Sequence, residues 1–442
     1  MRRVTLILLV AAAALRPAAS AAQSLEECLA LARRNAPALR VSDAGVARAE
    51  QAIREARAAF GPSLDVTASF VQNSESPKIV IPTSPTTQEV IAIGKSQSLD
   101  ARGELKLTVY SRESSALIRA AEAAHAGQTS DRERAEADLA LRVSTAFYRA
   151  LAAERLEAAA QAAVDSASAH LGVSAARVRA GVAQRVDSLR AQVDLSQRNT
   201  ALLRTQQAVH LTRVDLENAI GAPLDTTRSL ESPGEPPADV PELPAALEQA
   251  SRGRAELAVL DQSIRETDER LAAVHAHRWP ELSLNATAEY LAPNVDGDYE
   301  NFEDPGLKTY KLFAGAKATL PLLDGGRTDA RAREIEADRA ALEARRADAM
   351  LAVRRDVEGA LSDLRVALAV WRSDSGRVAT AEEALRLAEA GYKGGTQAAS
   401  DVRDAEAVLA DARAEEAQSL MDYWIARASL DHATGAAVTK GS

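Results

Sequence analysis

The stretch Tyr310-Lys311-Leu312-Phe313-Ala314-Gly315-Ala316-Lys317-Ala318-Thr319-Leu320-Pro321-Leu322-Leu323-Asp324-Gly325-Gly326-Arg327 changes its period partway along. Tyr310, Leu312, Ala314, Ala316 and Ala318 alternate with Lys311, Phe313, Gly315, Lys317 and Thr319, the two-residue period of a half-buried strand. Asp324-Gly325-Gly326-Arg327 then turns the chain into a long helix that ends near Lys393. Just upstream, Leu282, Leu284, Ala286, Ala288 and Tyr290 alternate with Ser283, Asn285, Thr287 and Glu289. Two strands, joined by a loop that runs to Lys308, therefore feed one long helix.

The same plan occurs earlier in the chain. Phe60-Gly61-Pro62-Ser63-Leu64 is echoed by Arg278-Trp279-Pro280-Glu281-Leu282, a shift of 280 − 62 = 218. Arg179-Ala180-Gly181-Val182-Ala183-Gln184-Arg185-Val186-Asp187 is echoed by Lys393-Gly394-Gly395-Thr396-Gln397-Ala398-Ala399-Ser400-Asp401, a shift of 401 − 187 = 214. Leu216 to Gly221 recurs as Leu430 to Gly435 by the same 214. Solenoid periods run from about 20 to 50 residues, so this is a duplicated structural half. The four-residue difference between the shifts belongs in a loop.

In the first half, Leu25 to Arg34 reads as a short helix and Pro37 to Ala59 as a longer one. Leu64, Val66, Ala68 and Phe70 alternate with Asp65, Thr67 and Ser69, and a second alternating run ends at Val109. Asn73 to Gln97, rich in Ser, Thr and Pro, reads as a loop. From Arg112 to Ala180 there is no proline, and the only glycines are Gly127 and Gly172. That predicts one helix of about 100 Å at 1.5 Å per residue. Gly181 ends it and Asp187 restarts a helix, in which Leu195, Leu202, Val209 and Leu216 recur every seven residues and call for a partner helix. Ala222 to Pro244 is a Pro-rich, irregular connector, and Ala245 to Arg278 reads as helical.

The ends and the composition narrow the class. Arg2 and Arg3, the apolar run Val4 to Leu15 and Ala19-Ser20-Ala21-Ala22 form a secretory signal over residues 1–22. No later run approaches the roughly 18 apolar residues of a membrane helix. The remaining options are a soluble exported protein or a β-barrel. The single cysteine, Cys28, follows Leu25-Glu26-Glu27, which lacks the small residue of a lipid-anchor signal, and is expected to be buried on a helix. Net charge is −10, against a nucleic-acid partner. Aromatic residues are 3% of the chain, so Ala-rich helix packing is expected in place of a bulky core.

Four strands of about nine to eleven residues fit a membrane-spanning set. Four cannot close a barrel alone, and open edges are not tolerated in lipid, so several chains must combine. Three chains give twelve strands. The plainer reading is two soluble hairpins packed on the helices, since alternation alone does not separate lipid from a protein core.

The order of signal, helix, Pro-x-Leu strand, Asp-Gly-Gly-Arg turn, long helix, Tyr-x-x-Gly turn and Asp-Val helix, all duplicated, resembles the TolC-type outer-membrane efflux proteins. The best-matched stretches are Gly391-Tyr392-Lys393-Gly394-Gly395 with Asp401-Val402, and Leu322 to Arg327. The resemblance implies an α+β membrane protein, a homotrimer with a long α-helical coiled-coil barrel and a transmembrane β-barrel of four strands per chain. The halves are then residues 23–221 and 245–435, with 222–244 an equatorial linker and 436–442 a tail. It also implies an exit duct in the outer membrane of a Gram-negative-type cell, with a large periplasmic portion. Its partners are outer-membrane lipid, a periplasmic adaptor and an inner-membrane pump, in tripartite efflux or type I secretion. The alternative is a soluble periplasmic coiled-coil scaffold or adaptor, although the small β-rich modules that bracket an adaptor hairpin are missing.

The resemblance also places the site. Asp401 and Asp404 match the acidic periplasmic constriction, a ring of carboxylates that selects cations. The plainer role is helix capping, and the two coexist. Asp187, Tyr392 and Gln397 stand at contacts that hold the closed tip. Gln397 replaces an arginine and Val186 a threonine, so closure is weaker or rests on other pairs. Gly181, Val182, Ala183, Gly395 and Thr396 mark the hairpin tips where the adaptor docks. Asp404 against Arg190, and Tyr392 against Val178, point to the second hairpin as the gate. The acidic loop Asn294 to Asp304 lacks calcium-loop spacing and reads as a solvated loop. His275 and His277 splay on a helix, a poor geometry for metal. No His-Glu-x-x-His, phosphate loop or nucleophile elbow occurs, so no enzyme, metal or cofactor is expected.

Overall fold

The structure, a computed structural model, describes residues 22–72, 74, 78–84, 87–92, 97–225, 228–237, 239–292, 310–394, 396–397 and 399–436. The signal segment, the loop 293–309 with its acidic run, Gly395 and the 437–442 tail lie outside them. The chain runs α1 (Leu25–Asn35), α2 (Pro37–Ala58), β1 (Pro62–Gln72), β2 (Lys78–Ser84), β3 (Thr87–Ala92), β4 (Gln97–Tyr110), α3 (Arg112–Arg179) and α4 (Arg185–Ile220). It continues with α5 (Leu243–Gly253), α6 (Ala255–Ala276), β5 (Glu281–Ala292), β6 (Tyr310–Thr319), α7 (Arg327–Lys393) and α8 (Ala399–Thr434).

Element lengths match between the two halves. The short helices have 11 residues each, the next pair 22 each, the long pair 68 and 67, and the last pair 36 each. The long helices start 327 − 112 = 215 apart and end 393 − 179 = 214 apart. Most of the four-residue difference between the shifts is thus absorbed ahead of them, in the strand segment.

Two sequence expectations need correction. The segment 73–97 is not all loop: β2 and β3 pair antiparallel, with Ile79 opposite Ile91 and Val80 opposite Val90. Their β-branched residues carry the strand tendency that the flanking Ser, Thr and Pro disguise. Nor is 245–278 one helix, because Arg254 adopts an extended conformation (φ −74°, ψ 113°) between α5 and α6. The guanidinium of Arg254 is 8% exposed, donates to the His432 carbonyl at 3.2 Å and meets Asp356 at 3.4 Å. A tertiary contact therefore overrides a helix-competent sequence. In the first half the same break falls at Ala36, where Pro37 enforces it.

The chain divides into two units. One comprises residues 42–132 and 255–350 and holds the four-stranded antiparallel sheet, in the order β1-β4-β5-β6. Its register sorts the faces. Leu64, Leu105, Ala286 and Ala314 form one row, and Val66, Gly103, Ala288 and Leu312 the next on that face. Asp65, Glu104, Thr287 and Phe313, then Thr67, Arg102, Glu289 and Lys311, form rows on the other. In these rows one face is apolar and the other polar, with Phe313 the exception. Every residue of the outer strands β1 and β6 is exposed.

The other unit comprises residues up to 41, 133–254 and 351 onward. Its core draws Cys28, Leu39, Val143, Phe147, Leu216, Ile220, Leu364, Met421, Tyr423 and Trp424 from α1, α2, α3, α4, α7 and α8. The scarce aromatics are concentrated there: Tyr148 stacks on Trp424 at 6.2 Å, and Phe147 and Tyr423 add edge contacts. Cys28 is buried as expected, and burial, then the Glu27 charge, pushes its thiol up to about 11. A separate stripe on α4, including Leu189, Val193, Leu203 and Leu211, is exposed.

Each last helix ends at a left-handed glycine pressed on a neighbouring backbone. Gly221 (φ 76°) abuts Asn35 and Ala36, and Gly435 (φ 68°) abuts the Gly253 carbonyl. A Cβ at Gly435 would meet both the φ penalty and that carbonyl. Gly435→Ala is expected to destabilise by about 1–3 kcal/mol, read as a lower thermal midpoint by circular dichroism. An unchanged midpoint would contradict this backbone contact.

Candidate functional site

The two hairpin tips use the same backbone device. At the first, Gly181 (φ 75°) donates its N–H to the Val178 carbonyl at 3.1 Å, and Val182 donates to the Arg177 carbonyl at 3.1 Å. This paired closure satisfies carbonyls that the end of a helix leaves open. At the second, Thr396 donates to the Gly391 carbonyl at 2.9 Å, the same five-residue separation. Its hydroxyl adds a bond to that carbonyl at 3.1 Å. Gly181 is thus explained by reversal geometry, and the side chain of Val182 is left exposed.

Asp187 does not begin α4; the helix starts two residues earlier, at Arg185. Its carboxylate reaches back to accept the Gln184 N–H at 3.2 Å, so it serves the helix start, where a negative charge is favoured. Asp401 lies in the first turn of α8, accepting from the Ser400 hydroxyl at 3.3 Å. Asp404 follows one turn later, and both carboxylates are exposed. Tyr392, the penultimate residue of α7, is also exposed. The side chain of Gln397 folds back over Gly391, where any Cβ would collide with its amide. Gln397 therefore contacts its own hairpin.

A contact that the sequence reading did not find lies beside the acidic pair. The Arg403 guanidinium is 2.8 Å from Nε2 of His170, joining α8 to α3 across 233 residues of sequence. His170 sits about three turns before the first tip, and Arg403 lies between Asp401 and Asp404 in sequence. No motif announces such a pair. Each hairpin also has its own ties. Arg413 meets Glu382 at 2.7 Å between α8 and α7, and Arg377 binds both Asp374 and Glu415. Arg213 meets Glu154 at 2.7 Å between α4 and α3 and is the more sheltered pair. Exposed pairs of this kind are screened by water and add little to the hold between the helices of a hairpin. His277 contacts Glu113 at 2.9 Å and takes no part at the tips.

The comparisons agree with this architecture. Among solved structures, a membrane protein from Pseudomonas aeruginosa superposes with a TM-score of 0.69 at 20% identity, covering 93% of each chain. The outer membrane protein VceC of Vibrio cholerae gives 0.69 at 18% identity, covering 94% of this chain and 97% of that one. The CmeC outer membrane channel of Campylobacter jejuni gives 0.70 at 14%, covering 93% and 85%. At these identities the likeness is one of fold. No curated protein sequence matches. The model of the outer membrane efflux protein family, however, matches residues 28–222 and 246–436, most of the chain and both halves of the element list. The chain belongs to the outer membrane efflux protein family, whose members are channels and not enzymes.

Proposed function

We propose that three copies of this chain form an exit duct, with a twelve-stranded barrel in the outer membrane and a helical tunnel in the periplasm. The observation that carries this reading is the four-stranded sheet, apolar on one face and polar on the other, with an unpaired edge on each side. In lipid each unpaired backbone group costs several kcal/mol, so the β6 edge of one copy must meet the β1 edge of the next. The exposed α4 stripe supports the same association, since an apolar helix face in water needs a neighbour.

In this reading residues 1–22 direct export, 23–221 and 245–435 are duplicated halves, 222–244 links them and 436–442 is a tail. The duct belongs to a tripartite efflux or type I secretion system and conducts passively. An inner-membrane pump and a periplasmic adaptor load it, the adaptor meeting Gly181, Val182, Ala183, Gly395 and Thr396. Asp401 and Asp404 from three copies set six carboxylates around the periplasmic aperture, where a ring of acids favours cations. Tyr392, Asp187 and Gln397 sit at the gate, and the Arg403–His170 contact adds a tie between hairpins.

Two measurements in planar bilayers follow. Replacing Asp401 and Asp404 together with Asn is expected to lower cation selectivity and weaken block by divalent ions; unchanged selectivity would remove the acidic ring. Arg403→Ala and His170→Ala are each expected to raise the open fraction, with the double variant no higher than either single one. Additive effects would show that the two side chains act separately and are not a tie.

A further inference from the structure

The polar face of the sheet leaves two charges unmatched, one on each open edge. Arg102 and Lys311 each lie opposite Glu289, and Lys106 is 3.8 Å from Glu281. Lys317 lies opposite Ser283 instead, and no acid pairs with it among the described residues. Asp65 lies opposite Glu104, a like charge, while Glu104 meets Arg102 at 3.5 Å. Like charges directly opposite each other destabilise a strand pair, so Asp65 lacks a cation. Lys317 belongs to β6 and Asp65 to β1, the two outer strands, and both side chains are exposed.

Barrel geometry limits how those edges can meet. Four strands about 4.8 Å apart, tilted by about 35–45°, displace the closing register by about 13–19 Å, or about four to six residues. The two-residue period of the faces allows only an even shift. Within one copy, Ala314 shares its row with Leu64. A shift of four toward the end of β1 sets Ala314 against Ala68 of the next copy (64 + 4 = 68), Tyr310 against Gln72 and Thr319 against Ser63. All 10 residues of β6 then have partners. A shift of six leaves Tyr310 and Lys311 beyond the end of β1. A shift of four in the other direction pairs only Tyr310, Lys311 and Leu312, and lipid does not tolerate the open remainder. Full overlap thus selects one register, and in it Lys317 falls directly opposite Asp65. On the apolar face of that seam, Ala316 and Ala318 fall opposite Val66 and Leu64, small against large.

We propose that Lys317 of each copy pairs with Asp65 of the next, and that this pair locks a four-residue stagger at each seam of the barrel. The seam rests on the three-copy reading above and adds the register at which the copies join. Over three seams the stagger totals twelve residues (3 × 4 = 12), which sets the strand tilt at the shallow end of the range, about 35°.

The test reconstitutes the full chain, carrying Cys28→Ala, in phosphatidylcholine vesicles and oxidises it with copper phenanthroline. Asp65→Cys with Lys317→Cys is expected to join more than half of the chains into covalent trimers on a non-reducing gel. Thr67→Cys with Lys317→Cys, which reports the six-residue stagger, should join at least fivefold fewer. Neither pair can close within one copy, where β1 and β6 stand three strand spacings, about 14 Å, apart, beyond the roughly 7 Å reach of a disulfide. Separately, Asp65→Lys relieves the repulsion from Glu104 in its own sheet, so a loss of trimer reads the seam. It is expected to lower the trimeric fraction at least twofold, and adding Lys317→Asp to restore it. Preferential joining through Thr67→Cys, or a charge swap that restores nothing, would overturn the seam and leave the duct standing. Conducting vesicles joined through neither pair would do the same. Chains that join through neither pair, run as monomers and conduct no ions would overturn the three-copy reading and the seam with it.

Discussion

A strand edge has no water to bond with inside a lipid bilayer, and the rest of this structure is arranged around that constraint. The sheet β1-β4-β5-β6 offers one apolar face, which suits lipid, and two edges, which do not. On the proposed reading, closing those edges on further copies lines up the polar rows of Asp65, Arg102, Glu104, Glu289 and Lys311 around a common interior. Twelve strands tilted as a barrel enclose more space than side chains fill, whereas about eight strands leave an interior that they can. The long helices obey a related rule, because an Ala-rich helix buries little per residue and must pack along its length against neighbours.

The two halves agree closely in element length and differ in how they are fixed. The first is tied by the sheltered Arg213–Glu154 pair and by Asp187, whose carboxylate is spent on its own helix start. The second is tied by exposed pairs, leaves Asp401 and Asp404 exposed, and leans on the first through Arg403 and His170. On the proposed reading, this difference makes the second hairpin the moving part of the aperture. In that reading its two acids, exposed at the start of α8, face passing ions.

Much of this was legible in the sequence. Period-two runs at 64–70 and 282–290, a proline-free span from 112 to 180, and the tip glycine Gly181 each encode local backbone preference, and each appears where expected. The α5–α6 break was hidden because Arg254 is bent by Asp356 and the His432 carbonyl, groups distant in sequence. Strands β2 and β3 were hidden by a Ser-, Thr- and Pro-rich surround. At the tips, glycine turns could be read from residue type, but the place of Gln397 over Gly391 depends on its rotamer. The Arg403–His170 contact depends on how two helices pack, which no spacing encodes.

The central claim is that the sheet is completed only by other copies of the same chain. Native mass spectrometry of the detergent-extracted protein tests it most directly. The account predicts a complex of three chains that persists as detergent is stripped in the gas phase. A folded monomer, with no higher species at any protein concentration, would contradict it.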